Sequence, residues 1–193
     1  MRLGILNEGY GFGPKLLFKL IRLFSRHPVP DAAKFVFYRP DFYGSYSKAL
    51  THEAMRGPSD WSVAERELMA AYVSQMNDCP FCIAAHTATS AQAFQNEALV
   101  AAALVDLDSA PIVEGLRATL RVLGKLTRDG HVSPDDVRAL LAAGVSRQQV
   151  EDALAVCFSF NVTNRLANAF GYEVGSPEAF QAGARYLLRR GYR

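Results

Sequence analysis

The residues best suited to chemistry in this sequence are two cysteines and a histidine within one short segment. Cys79 and Cys82 are separated by two residues, and His86 follows the second cysteine by four. On an α-helix, with about 100° of rotation per residue, the three side chains share one face. The first cysteine would begin that helix, where free N–H groups stabilise a thiolate, and the imidazole could accept the proton of the second. We therefore expect Cys82 to have the lower thiol pKa, and we expect chemistry on peroxides or disulfides.

Glu67 is a fourth candidate, in the helix predicted before the cysteines. It stands at the edge of an apolar helical face, next to small residues. A carboxylate at this position could hydrogen-bond His86, directly or through water, which would make the imidazole more basic and store a proton. The alternative is a solvated acid that only favours the N-terminus of its helix. The sequence leaves both interpretations open.

Two other uses of the cysteine pair fit the sequence less well. A structural zinc site needs four ligands, and the isolated candidates for a fourth are His52, His131 and Cys157. Of these, Cys157 stands among apolar residues and is expected to be a buried side chain. A glutaredoxin-like motif should follow a buried strand in a βαβ unit, whereas a helical segment precedes this one. We favour the redox interpretation, with no metal and no other cofactor.

The elements that must position these residues are all predicted to be helices. Capping boxes begin two of them, at Ser62 and at Ser146, and Pro80 suits a first helical turn. Few segments alternate with period two, so the fold class is all-α. Residues 1–14, rich in glycine, are expected to be irregular. The predicted helices cover about 16–25, 31–35, 40–55, 62–76, 79–93, 110–128, 133–143, 146–169 and 176–188.

Composition and length limit the possible classes. We expect 193 residues to form one domain, with an extension at 1–30 and helical halves at 31–108 and 109–193. A net charge of +2, without an arginine-rich tract, argues against nucleic-acid binding. No signal peptide is recognised, so we expect a cytoplasmic protein. The apolar stretch 16–24 is too short to span a membrane, and its basic residues would also suit a membrane surface. Packing in an oligomer or over the core is the favoured use.

The segment Glu67–His86 resembles the AhpD-like fold of the carboxymuconolactone decarboxylase family, in its peroxidase-related branch. That family's pattern is a glutamate twelve residues before a Cys-x-x-Cys pair, with a histidine four residues after it. Glu67, Cys79, Cys82 and His86 match it position by position. Met55 to Pro58 and Phe160 to Leu166 also resemble that branch. The resemblance is most specific over residues 51–93 and extends over 110–171.

The resemblance implies a homo-oligomer, a trimer or a hexamer, of AhpD-like subunits. It implies that Cys82 attacks the peroxide, that Cys79 closes the disulfide, and that His86 and Glu67 relay the proton. A dithiol electron donor, such as a lipoyl adaptor, would then reduce the disulfide. Phe81 stands where the best-studied alkylhydroperoxidases of this fold have a second histidine. A shorter relay and weaker peroxide turnover are therefore expected.

The sequence thus predicts a peroxide- or disulfide-reducing thiol enzyme. The alternative is a redox-sensing or assembly protein that uses the same cysteine pair without turnover. Decarboxylation of a lactone is not expected, since the decarboxylases of the family work without a cysteine pair.

Overall fold

The computed structural model describes residues 4–192, and only the backbone of Phe42. In this range the chain forms eleven α-helices and one π-helical turn, with no β-strand, so the predicted all-α class is confirmed. The α-helices are α1 (Ile5–Glu8), α2 (Phe12–Ser25), α3 (Asp31–Tyr38), α4 (Ser45–Arg56), α5 (Val63–Met76), α6 (Pro80–Phe94), α7 (Glu97–Val105), α8 (Glu114–Asp129), α9 (Pro134–Ala142), α10 (Arg147–Phe170) and α11 (Pro177–Arg190). The π-helical turn, Pro40–Gly44, leads directly into α4.

Three helices begin at a serine that closes a capping box. The hydroxyl groups of Ser62, Ser133 and Ser146 each accept a hydrogen bond from the backbone N–H three residues later. The side chain of that later residue in turn accepts a hydrogen bond from the serine N–H. Each box satisfies backbone donors that have no partner within the helix. The predicted starts of α5, α9 and α10 are therefore confirmed. Of these, α5 matters most, because it leads directly to the cysteine pair.

Helix α5 lies at the centre of the fold. The sequence predicted one apolar face, but the helix is buried around most of its circumference because α4, α6, α7, α8 and α10 all pack against it. Its Leu68, Met69 and Val73 have no exposed surface. The core that they form continues through Leu120 of α8 and Phe160 of α10. A helix enclosed in this way is a rigid support for any group that it carries.

Several boundaries differ from the prediction. Helix α7 was not predicted, because its sequence of alanine, leucine and valine has no amphipathic period; the Asn96 side chain caps it by accepting from Leu99 N–H, at 3.0 Å. Helix α8 begins at Glu114, later than expected. Residues 5–8 form a helical turn where an irregular lead-in was expected, and residues 1–3 lie outside the described range. Asp31, expected to cap α3, instead accepts from the backbone of Glu173, at 2.9 Å.

Helix α2 lies on the outside of the molecule. None of its residues is buried, and Phe12, Leu23 and Phe24 are each at least 70% exposed. Only Phe18 turns inward, where its ring packs edge-on against Tyr10 and Phe37. Of the two uses expected for this helix, covering the core is therefore wrong, and packing in an oligomer stays a prediction. Within residues 4–192, no helix combines the length and the apolar character needed to cross a membrane.

Candidate functional site

A tight turn between α5 and α6 positions the first cysteine. Asp78 has a left-handed backbone (φ 47°), and the Cys79 N–H then donates to the Ser74 carbonyl, at 3.0 Å. Cys79 is the N-cap of α6, and Pro80 is the first residue of the helix, as predicted. The Cys79 side chain therefore lies at the helix start, where backbone N–H groups and the helix dipole favour negative charge.

Asparagines of α10 hold this turn in place. Asn164 donates to the Ser74 hydroxyl at 2.9 Å and accepts from the Asn77 amide at 3.1 Å. Asn168 donates to the Asn77 carbonyl at 3.0 Å. The sequence left open whether Asn164 lines a cleft or joins helices. It joins α10 to the turn, and no part of it is exposed.

The two thiols are reduced and buried. Cys79 is 1% exposed and Cys82 is 2% exposed. A hydrogen bond from the Cys82 thiol lowers the pKa of Cys79 to about 7, despite burial, and the Cys82 backbone N–H and the Asn164 amide add to this effect. The same contact with Cys79, together with burial, raises the pKa of Cys82 well above its usual value. Near neutral pH, the pair therefore holds one proton between two sulfurs.

The expectation that Cys82 has the lower pKa is therefore wrong. It assumed that the His86 imidazole would take the proton of this thiol. Instead, His86 Nδ1 lies 2.7 Å from Glu67 Oε2, and the ring packs edge-on against Phe160 at 4.4 Å between centroids. Within residues 4–192, no hydrogen bond joins the imidazole to either sulfur. The start of α6 and its neutral donors favour Cys79 as the site of negative charge.

Glu67 is completely buried at the centre of a charged cluster. Besides His86, its carboxylate accepts a hydrogen bond from the Arg56 guanidinium at 2.6 Å and from the Tyr192 hydroxyl at 2.9 Å. The predicted contact between carboxylate and imidazole is thus direct, and the interpretation of Glu67 as a solvated acid is wrong. Three donors around one carboxylate fix its position and satisfy most of its acceptor capacity.

These contacts keep the carboxylate ionised. Burial alone would raise the pKa of Glu67, but the hydrogen bond and charge of His86, followed by those of Arg56, lower it overall. Burial and the neighbouring Glu67 charge raise the pKa of Tyr192 well above its usual value, so the phenol keeps its proton and remains a donor. The cluster can therefore store and transfer a proton through the imidazole without losing its anchoring charge.

Arg56 and Tyr192 are the members of this cluster that the sequence argument missed. Arg56 was noted only as part of the family resemblance, and Tyr192 is 125 positions from Glu67. The end of the chain reaches the site because the Tyr192 N–H donates to His52 Nδ1 at 3.2 Å, so His52 anchors this segment. Gly191 allows the approach: its φ is +66°, and a Cβ there would lie 2.7 Å from the His52 ring. Nothing in the sequence pairs these positions.

Aromatic rings cover the thiol end of the site. Phe81 packs edge-on against Tyr172 and Phe180, with centroids 5.4 Å and 5.7 Å apart. Phe180 belongs to α11, which lies along α6. The position where related enzymes have a second relay histidine is thus part of an apolar cover in this chain. The three rings pack in the same apolar cluster as Cys79 and Cys82.

The other histidines and the third cysteine lie apart from the pair. Cys157 is buried, as expected, beside Thr127 and Asn161, and burial raises its pKa. His131 is exposed and contacts the Asp129 carbonyl at the end of α8. Among residues 4–192, no group of three or more histidine, cysteine or acidic side chains is arranged to hold a metal ion. The possible fourth zinc ligands therefore do not converge on the cysteines.

Comparison with known proteins agrees with the resemblance. The model of the carboxymuconolactone decarboxylase family matches residues 40–125, which include α4, α5, α6 and the start of the second half. The resemblance to this family is confirmed. The matched segment contains Glu67, Cys79, Cys82 and His86. No curated protein matches the sequence.

Two crystal structures share the fold over almost the whole chain. One is an uncharacterized peroxidase-related protein from Silicibacter sp. TM1040, with 24% identity and a TM-score of 0.75. The other is described as an alkylhydroperoxidase AhpD core, an uncharacterized peroxidase-related protein from Ralstonia eutropha JMP134, with 23% identity and a TM-score of 0.75. In both comparisons, 91% of each chain is covered. The fold is therefore AhpD-like, as expected.

Proposed function

We propose that the protein is a thiol-dependent oxidoreductase of the alkylhydroperoxidase type, which reduces a peroxide or a disulfide. The observation that carries this proposal is that two hydrogen-bonded thiols at the start of α6 share that helix with His86, whose imidazole is bonded to the buried Glu67 of α5. A purely structural cysteine pair needs no thiolate near neutral pH and no adjacent proton relay. The match to the family, and the description of the two structural relatives as peroxidase-related proteins, support the same class.

The proposed reaction begins with the proton shared by the two sulfurs. Cys82 passes its proton to the Cys79 thiolate and attacks a peroxide oxygen. The S–O bond forms as the O–O bond breaks, and Cys82 becomes a sulfenic acid. The alkoxide leaves and takes a proton through His86, which the hydrogen bond to Glu67 orients. Cys79 can accept this proton because its lower pKa leaves it as the thiolate of the resting pair, although the transfer itself is uphill because the pKa of Cys82 is the higher one.

The second step closes a disulfide. The Cys79 sulfur attacks the sulfenic sulfur of Cys82, the S–O bond breaks, and the thiol proton leaves with the hydroxide as water. Counting the proton delivered through His86, one thiol, one thiolate and one hydroperoxide thus yield one disulfide, one alcohol and one water. A dithiol donor, such as a lipoyl group, restores both thiols by exchange and is itself oxidised to a disulfide. We propose no metal or other cofactor for this cycle.

The experiment that tests this function is peroxide consumption with dihydrolipoamide as the donor. Sustained turnover by the wild type is expected, with loss in Cys82→Ser and in Cys79→Ser. The matched control is Cys157→Ser, which removes a buried thiol outside the site and should retain turnover. Turnover that persists in both site variants would overturn the proposal.

A redox sensor is the second candidate, favoured by the aromatic cover over the thiols. With Phe81 packed against Tyr172 and Phe180, access to the sulfurs is restricted. A sensor would consume one equivalent of peroxide, form the disulfide and stop, whereas an enzyme continues while donor remains. The stoichiometry in the same assay distinguishes these outcomes.

A further inference from the structure

Helix α10 has an exposed apolar stripe on the surface that faces away from α5. Leu154, Phe158 and Val162 are 37%, 58% and 45% exposed, respectively. They follow one another at four-residue intervals. Such spacing forms a continuous ridge along a helix and is typical of a surface that packs against another helix. Tyr46 and Leu50 of the neighbouring α4 are also exposed, at 75% and 45%. Leu50 and the Ala155 side of α10 line the same small depression.

Charged residues of opposite sign stand at the two ends of this stripe. Glu151 and Arg165 are exposed and lie seven residues before and seven residues after Phe158. At about 100° per residue, both fall within about 20° of the Phe158 direction, on the same face as the apolar ridge. Neither forms an ion pair within residues 4–192; the guanidinium bonds only to Asn161, on its own helix.

Read along two antiparallel copies of α10, the order of these residues places each side chain opposite a complementary one. If two copies of α10 meet about a two-fold axis at Phe158, Leu154 faces Val162 of the partner subunit. In the same arrangement, Glu151 faces Arg165 of the partner subunit, and each pair occurs twice. A two-fold contact requires one patch to fit a second copy of itself, and this sequence meets that requirement in both size and charge.

We propose that the α10 stripe is a two-fold interface between two copies of this chain, centred on Phe158. Helix α2 exposes more apolar surface, but its charges are of one sign: Lys15, Lys19 and Arg22 lie on it, and residues 9–30 contain no acidic residue. Two copies that met through α2 alone would bring like charges together. The stripe on α10 has both signs in the order that a second copy needs. This interface does not depend on the proposed function.

Sedimentation of the purified full-length chain over a range of concentrations tests the interface. The wild type should associate, and Phe158→Glu should weaken association by at least about tenfold, because it buries two like charges at the axis. Val105→Glu adds the same charge at a position that is 87% exposed on α7 and should have no effect. A monomeric wild type, or an assembly that Phe158→Glu leaves unchanged, would overturn the proposal.

Charge exchange and crosslinking test the antiparallel register. Glu151→Arg alone and Arg165→Glu alone should each weaken association, and the double variant should restore it. Copies with Leu154→Cys should form an intermolecular disulfide when mixed with copies that have Val162→Cys, and much less with themselves. No rescue in the double variant, or equal crosslinking in the unmixed samples, would contradict the two-fold arrangement.

Discussion

The thiol end and the relay end of the site share helix α6 but are stabilised by different interactions. At the thiol end, Cys79 and Cys82 are covered by aromatic rings and receive hydrogen bonds from neutral groups. At the relay end, the ionised Glu67 lies between a guanidinium, an imidazole and a phenol. One end therefore depends on helix geometry and neutral donors, and the other depends on charge.

This difference indicates that thiol activation and proton transfer are separate devices in the reduced protein. His86 Nδ1 is bonded to Glu67, and within residues 4–192 no hydrogen bond joins the imidazole to either sulfur in this state. The low pKa of Cys79 comes instead from hydrogen bonds that the Cys82 thiol, the Cys82 backbone N–H and the Asn164 amide donate to it. Variants at each end should therefore have distinct signatures, and the largest effects on stability should come from the charged end.

Glu67→Ala should cause the largest loss of stability. It leaves the buried Arg56 charge without its carboxylate partner, and removal of one member of a buried ion pair costs about 3–5 kcal/mol. The free energy of unfolding from denaturant titration measures this loss. Glu97→Ala, at an exposed first-turn acid of α7, should cost less than about 1 kcal/mol. Equal losses in both variants would mean that the charged cluster contributes little.

Tyr192→Phe should have a smaller effect at the same end. It removes one hydrogen bond to an ionised carboxylate and leaves the ring in place, so we expect a loss of about 1.5–3 kcal/mol. The pKa of Cys79 should not change, because the phenol is not among the groups that lower it. Denaturant titration and the pH dependence of alkylation measure the two effects separately. Tyr186→Phe, at a ring that is 56% exposed, is the matched control.

Asn164→Ala should affect the thiol end instead. Ser74 and Asn77 would each lose a buried partner, at a cost of about 1–3 kcal/mol. Loss of the amide donor should also raise the pKa of Cys79, and pH-dependent alkylation would detect the change. Asn168→Ala removes only hydrogen bonds to the backbone carbonyls of Asn77 and Asp78, so it should leave the pKa of Cys79 unchanged. A raised pKa in both variants would indicate a general loosening of the turn.

The local elements of this fold were predictable from the sequence because their signals are local. Three helix starts were predicted from signals that each span four residues or fewer: the capping boxes at Ser62 and Ser146 and the proline after Cys79. All three are confirmed. The contact between Glu67 and His86 was one of the two interpretations that the sequence left open, from positions on two consecutive helices. In each of these cases, the chain itself limits where the partners can lie.

The partners that close the site were not predictable in this way. Tyr192 and Asn164 reach the site from distant parts of the chain, and only the packing of α10 and α11 brings them there. The relative pKa values of the thiols were predicted in the wrong order for the same reason. Helical spacing placed His86 next to Cys82, but it did not reveal that the Cys82 thiol and the Asn164 amide both donate to Cys79 and lower the pKa of Cys79.

The measurement that tests this account most directly is the pH titration of the thiolates in the reduced protein, by ultraviolet absorbance and by alkylation rate. With Cys157→Ser as background, one thiolate should ionise with a midpoint near pH 7, and its alkylation should slow as the pH falls below that value. Cys82→Ala removes the thiol donor and should move this midpoint up, towards that of an ordinary thiol. If Cys79→Ala instead retained the low midpoint, the thiolate would belong to Cys82, and the separation of thiol activation from the relay would be contradicted.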